Sequence, residues 1–147
     1  MEVDLNKRYQ TMLVLWFALL MSVVMYFLFS LFVTPNISTE PSSSRTLLII
    51  ALTAVSTVSV IVSFPVKNKL LERSVEKQDP LLVQKAMIVA LALCEVSALL
   101  GLLEHFTVGN REYYFLLVLA AAGDVLHFPR RSQLEAATYQ SRSTLIK

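Results

Sequence analysis

The chain has 147 residues, 55% of them hydrophobic and 16% charged, with a net charge of +2 and a mean hydropathy of +0.60. That balance excludes an ordinary soluble domain and marks a membrane chain. A charge this close to neutral carries no nucleic-acid signal, and a single cysteine, Cys94, excludes a disulfide framework or a cysteine metal cluster.

A helix needs about 20 mostly apolar residues to cross roughly 30 Å of hydrocarbon, and four stretches approach that length. Residues 11–33 form the first, 23 residues without a charge. Lys7 and Arg8 before an apolar run resemble the opening of a secretory signal. The run is too long for one, however, and ends in SLFVTPNIS without a small-x-small cleavage site, which predicts a retained span. The Pro/Ser/Thr-rich connection 34–45 follows, with Asn36-Ile37-Ser38 fitting a glycosylation acceptor. The second span, 46–66, is uncharged and has Pro65 near its end, where a missing donor is tolerated. KNKLLERSVEKQDP, 67–80, reads as a mixed-charge loop, partly helical, with Glu72 and Glu76 offset among its cations. The third span, 82–103, carries Lys85 near its start and Glu95 inside it. EHFTVGNRE, 104–112, predicts a tight turn at Gly109-Asn110. The fourth span, 113–128, is short and carries Asp124, and a polar, loosely ordered tail over 129–147 completes the chain.

Charge distribution gives the expected orientation. Eleven of the 13 Lys and Arg residues fall in the N-terminal tail, the 67–85 region and the C-terminal tail; Arg45 and Arg111 alone lie in the other two connections. With four spans the eleven share one side, and the positive-inside rule makes that side cytoplasmic. The expected fold is therefore all-α: an integral membrane bundle of four transmembrane helices over 1–128, both termini cytoplasmic, with a cytoplasmic tail over 129–147.

Few polar groups are available for chemistry. His105 and His127 fall at opposite predicted faces, so they cannot share a metal or a haem, and each reads as an interfacial side chain with its polar tip among headgroups. No nucleophile elbow, phosphate loop or zinc motif occurs, so neither an enzyme nor a cofactor or metal is expected. Glu95 stands apart. An acid at the centre of a span costs on the order of 3 kcal/mol on the translocon scale, and such acids usually face the bundle interior and serve proton or ion paths. Ala86, Ala90, Cys94 and Ala98 repeat every four residues, with Ser97 and Gly101 adjoining, so one face of the third span is small enough for close helix packing. Glu95 lies about 100° around from Cys94, at the border of that face. The second span offers it hydroxyls in Thr53, Ser56, Ser59 and Ser63, with Thr57 near them, although helical serines and threonines also bond back to their own carbonyls. Asp124 is the second acid, with Arg130, Arg131 or interfacial water as its expected partners. The expected proton- or ion-binding set is Glu95, Asp124, Ser56 and Ser59; the expected packing set is Ala86, Ala90, Cys94, Ala98 and Gly101.

EKQDPLLVQKAMIVALALCEVSALLGLL, 76–103, resembles the polar loop and second helix of the rotary ATP synthase subunit c family. Lys77-Gln78-Asp79-Pro80 stands where that family has its Arg-Gln-Pro loop, and Glu95 where it has its proton-binding carboxylate. The resemblance implies reversible protonation of Glu95 during ion translocation. Departures from the family pattern are the lysine in place of the loop arginine, the aspartate inserted before the proline, the two additional spans, and the absence of glycine from 46–64. Two functions follow as expectations. One is a proteolipid-like subunit that handles protons or cations at Glu95; the other is an accessory subunit packed against a larger membrane complex. Trp16, Phe17, Tyr26, Phe27, Phe29 and Phe32 give the first span a bulky surface suited to lipid or to another subunit. The expected partners are membrane lipids and other membrane subunits or further copies of the chain, with no nucleic acid, and the expected location is multi-pass in a bacterial inner membrane.

Overall fold

A computed structural model gives the fold and describes residues 2–33, 35, 43–109 and 111–138. Asn36-Ile37-Ser38, Asn110 and the end of the tail from 139, with Arg142 and Lys147, lie outside the described residues. The elements in chain order are α1 (Glu2–Phe32), α2 (Ser43–Lys77), α3 (Pro80–Val108), α4 (Tyr113–Leu126) and α5 (Arg131–Ala136), and no strand occurs among the described residues. By length and composition, three helices (α1, α2 and α3) can cross a membrane. The fourth apolar helix, α4, has 14 residues and spans about 21 Å.

The second helix is much longer than the expected span. It runs through Pro65 to Lys77, because Leu70 and Leu71 keep a helical apolar spacing among the charges of 67–77 and Leu71 packs against a core cluster. The expected 67–80 loop thereby shrinks to Gln78-Asp79. Gln78 adopts a left-handed φ of 49°, its N–H meets Val75 O at 3.3 Å, and the Asp79 N–H meets Ser74 O at 3.0 Å. Those two bonds form a Schellman ending. Asp79 then caps α3 by accepting the Leu81 N–H at 2.9 Å, and Pro80 occupies the first turn, where its lost donor is harmless. At its other end α3 stops on Gly109, whose φ of 70° suits a residue without Cβ.

The spacing of buried residues sets how α2 and α3 pair. Ser56, Val60, Ser63, Lys67 and Ser74 on α2, and Val83, Met87, Ala90, Cys94, Ser97, Gly101 and Glu104 on α3, recur at alternating steps of four and three or at seven. Such a repeat keeps one seam facing a partner helix, and α2 with α3 is the most extensive helix pair in the protein. Ala86, Leu91, Ala98 and His105 bury a second flank of α3, which also packs against α4 and α1. The small residues Ala86, Ala90, Cys94, Ala98 and Gly101 are all buried. At Gly101 a Cβ would stand 3.0 Å from Leu116 Cβ and 3.3 Å from the Tyr113 carbonyl, so α3 and α4 approach backbone to side chain there.

The polar tail begins with a packed helix. Leu134 and Ala137 are 1% and 0% exposed and join Met12, Val83, Met87 and Leu91 in one cluster, with Leu5, Tyr9, Trp16, Leu19 and Leu71 around it. This cluster gathers the start of α1, the end of α2, the start of α3 and α5 at one end of the bundle, bringing Lys7, Arg8 and Arg131 to that same end. On its outer side α5 carries an exposed Arg131–Glu135 pair at 3.0 Å, which contributes little. Leu134 is the anchor. Leu134→Ala is expected to lower unfolding stability in detergent by about 2–4 kcal/mol and to expose the 131–138 backbone to proteolysis.

Candidate functional site

Three groups of polar side chains stand out inside the bundle, and the first surrounds Glu95. Because the Cys94 face of α3 is turned to α2, Glu95, one residue on, is rotated toward α1. Its Oε1 is hydrogen-bonded to Ser22 on α1, Tyr26 flanks the carboxyl one turn further along, and Oε2 is buried without a hydrogen-bond partner. The hydroxyl that Glu95 finds is thus on the first helix. Ser56 is fully buried on the α2 seam with its Oγ unpartnered, and Ser59 is half-buried beside that seam. Ser22 Oγ also lies 2.7 Å from Leu19 O, and a hydroxyl has one proton to donate. Its single proton is therefore shared between the Leu19 carbonyl and the Glu95 carboxyl.

Asp124 forms the second group. It is 0% exposed, and both its carboxylate oxygens lack hydrogen-bond partners. Neither arginine expected to satisfy it does so, since Arg131 pairs with Glu135 and Arg130 is exposed at the start of α5. Instead Asp124 faces inward at a depth where it interacts electrostatically with Glu95 and Cys94. Its backbone carbonyl is held by Trp16 Nε1 at 2.7 Å. Trp16 also meets Phe128 edge to face at 5.0 Å, so aromatic rings close the bundle beside this turn.

The third group lies where α2 meets the turn after α4. His127, which the sequence placed among headgroups, is 1% exposed, with Nε2 at 2.7 Å from Ser63 Oγ and its ring 4.5 Å from that of Phe64. Ser63 Oγ donates to Val60 O at 2.6 Å, and Cys94 Sγ sits 3.9 Å from the same hydroxyl. Lys67, one turn along α2, is 6% exposed and donates to the His127 carbonyl at 3.3 Å. The other histidine, His105, is also buried rather than tipped into headgroups. Its Nε2 meets the Val33 carbonyl at 2.8 Å, its ring lies 4.3 Å from Tyr113, and it occupies the opposite end of the bundle.

Glu95, Asp124, Ser22 and Ser63 are therefore drawn from α1, α2, α3 and α4 alike. Among the described residues, no group of three or more His, Cys, Asp or Glu side chains converges on a metal-sized site. Four members escaped the sequence: Ser22, Trp16, Lys67 and His127. Ser22 and Tyr26, four residues apart in the otherwise apolar stretch 12–29, were the signal for a polar face on α1. Comparison of the chain with family models, with curated proteins and with solved structures gives no match.

Proposed function

We propose that this is a small, proteolipid-like membrane protein that binds and releases protons, or a cation in their place, at Glu95 and Asp124. The observation that carries this reading is that two of the acids inside the bundle, Glu95 with one carboxylate oxygen and Asp124 with both, have buried oxygens without a hydrogen-bond partner. Acids kept only for packing are ordinarily satisfied by donors, and acids inside a membrane bundle ordinarily lie on proton or ion paths. Four crossings, with α4 as the short fourth, put the basic end of the bundle and both termini in the cytoplasm by the positive-inside rule.

The test is reaction of the protein in native membranes with a hydrophobic carbodiimide, which attacks protonated carboxyls. The expected result is an adduct on Glu95 that fades as pH rises and is absent from Glu95→Gln. No adduct at any pH overturns the proposal and favours an accessory subunit. One observation supports that second reading: among the described side chains of α1 only Met12, Val23 and Ser30 are buried, while Phe17, Phe29 and Phe32 are 53%, 51% and 84% exposed. A partner subunit would cover that face.

A further inference from the structure

We propose that Lys67 and Arg130 form a binding site for the phosphate of an anionic phospholipid at the basic end of the bundle. The site stands apart from the acid pair and from any proton path. A lysine near the end of a membrane helix ordinarily lays its methylenes along apolar surface and keeps its charged head in water. Lys67 does the opposite: it is 6% exposed, and its Nζ donates to the His127 carbonyl at 3.3 Å. An ammonium has three protons to donate, and among the described residues no carboxylate pairs with this one. The carbonyls at the end of α4 supply a partial negative charge of about half a unit, less than a full charge needs. A charge taken out of water is costly unless it is paired.

The neighbouring charge enlarges the deficit. Arg130 follows His127 by three residues, in the extended chain that leads into α5, and acts on Lys67 as a like charge. Arg131 is paired with Glu135, whereas Arg130 is exposed and, among the described residues, has no acid paired to it. The turn after α4 thus brings together two cations, one deep and one at the surface. A phosphate answers both, because its oxygens accept from an ammonium as a point charge and from a guanidinium as a fork. The bond that Lys67 makes to a neutral carbonyl is longer than the usual N–H···O distance, and its four-carbon stem is flexible, so the ammonium can leave that carbonyl for a phosphate oxygen.

The surface beside the two cations selects a lipid over a free anion. Val125, Leu126 and Phe128, leading into the same turn, are all exposed, as are Val62 and Pro65 on α2 before Lys67. Apolar side chains next to a cationic pair match an acyl chain next to its headgroup. Basic pockets between membrane helices, on the side that the positive-inside rule makes cytoplasmic, hold anionic headgroups.

The test is thermal unfolding of the purified full chain in a neutral detergent with phosphatidylglycerol, phosphatidylcholine or inorganic phosphate added. Phosphatidylglycerol is expected to raise the unfolding midpoint saturably; phosphatidylcholine, whose choline offsets its phosphate, and inorganic phosphate are expected to leave it unchanged. Lys67→Met and Arg130→Gln should each raise the phosphatidylglycerol concentration for half the effect by at least about fivefold, while Lys69→Gln, an exposed lysine two residues along α2, should not. If Lys67→Met fails to fold, the exposed Arg130 decides. An equal rise with inorganic phosphate overturns the lipid as occupant. No rise with phosphatidylglycerol, or a rise that Lys69→Gln weakens as much as Arg130→Gln does, overturns the site. None of these outcomes depends on Glu95 or Asp124, so the proton reading stands or falls separately.

Discussion

Gly123→Ala is expected to destabilise the bundle by about 1–3 kcal/mol, the range for forcing an extra methyl into a packed interior, and Cys94→Ala is expected to reverse the sign of that effect. A Cβ on Gly123 would stand 2.6 Å from Cys94 Sγ, 3.3 Å from Val60 Cγ1 and 3.5 Å from Cys94 Cβ. The first distance is untenable, and the sulfur has little room to retreat because Cys94 is 0% exposed and belongs to the α2–α3 seam. Helix α4 must therefore move off α3. Working against this, alanine is favoured over glycine inside a helix by about 1 kcal/mol, so the net loss measures the clash less that gain. With the sulfur removed by Cys94→Ala, the remaining contacts are tight but tolerable, the new methyl fills part of the space left by the thiol, and the propensity gain survives. The double variant should then be more stable than Cys94→Ala alone. Equilibrium unfolding of the four proteins in one detergent closes the cycle, and a coupling near zero would mean that α4 does not rest on Cys94.

That contact illustrates what the sequence could and could not reveal. The small residues of α3 were legible because their four-residue spacing survives on any straight helix, whatever packs on it. The partner of each was not, since spacing on one helix carries no register with another, and Gly123 meets Cys94 only because the Gly109 turn sets α4 antiparallel at that height. Glu95 was legible as an acid in an apolar run. Its hydroxyl was sought on α2, where serines and threonines are plentiful, and lies on α1, because the α2–α3 seam fixes Cys94 toward α2 and leaves Glu95 on the flank. His127 and Lys67 lie in stretches that read as a membrane edge and a loop. The burial of His127 depends on Ser63 and Phe64 meeting the turn after α4, and that of Lys67 on α2 continuing past Pro65, where Leu71 packs against the cluster of Met12, Val83 and Leu134, residues distant in the chain. α5 was missed for the same reason: one leucine and one alanine in a polar tail signal nothing until a cluster exists to receive them.

Asp124→Ala should make the protein more stable and, on the proton-handling proposal, abolish proton flux. A buried carboxyl without a donor or acceptor forfeits about 1–3 kcal/mol of hydrogen bonding relative to water, and more if it is charged. Both oxygens of Asp124 are in that condition, at 0% exposure, beside a second acid. Alanine removes the oxygens and has the better helix propensity, worth a further few tenths of a kcal/mol; against these gains stands a small cavity, on the order of 1 kcal/mol. The balance is a rise of about 0.5–2.5 kcal/mol in unfolding free energy. Trp16 bonds to the backbone carbonyl of Asp124, not to its side chain, so that contact survives the substitution. A side chain that lowers stability and is kept where a hydrocarbon would fit better is the expected signature of a working group. The two measurements separate its roles. Greater stability with proton flux lost identifies Asp124 as a group held at structural expense for transport; greater stability with flux intact confines transport to Glu95; lower stability shows that the carboxyl is satisfied inside the bundle and removes it from the acid pair.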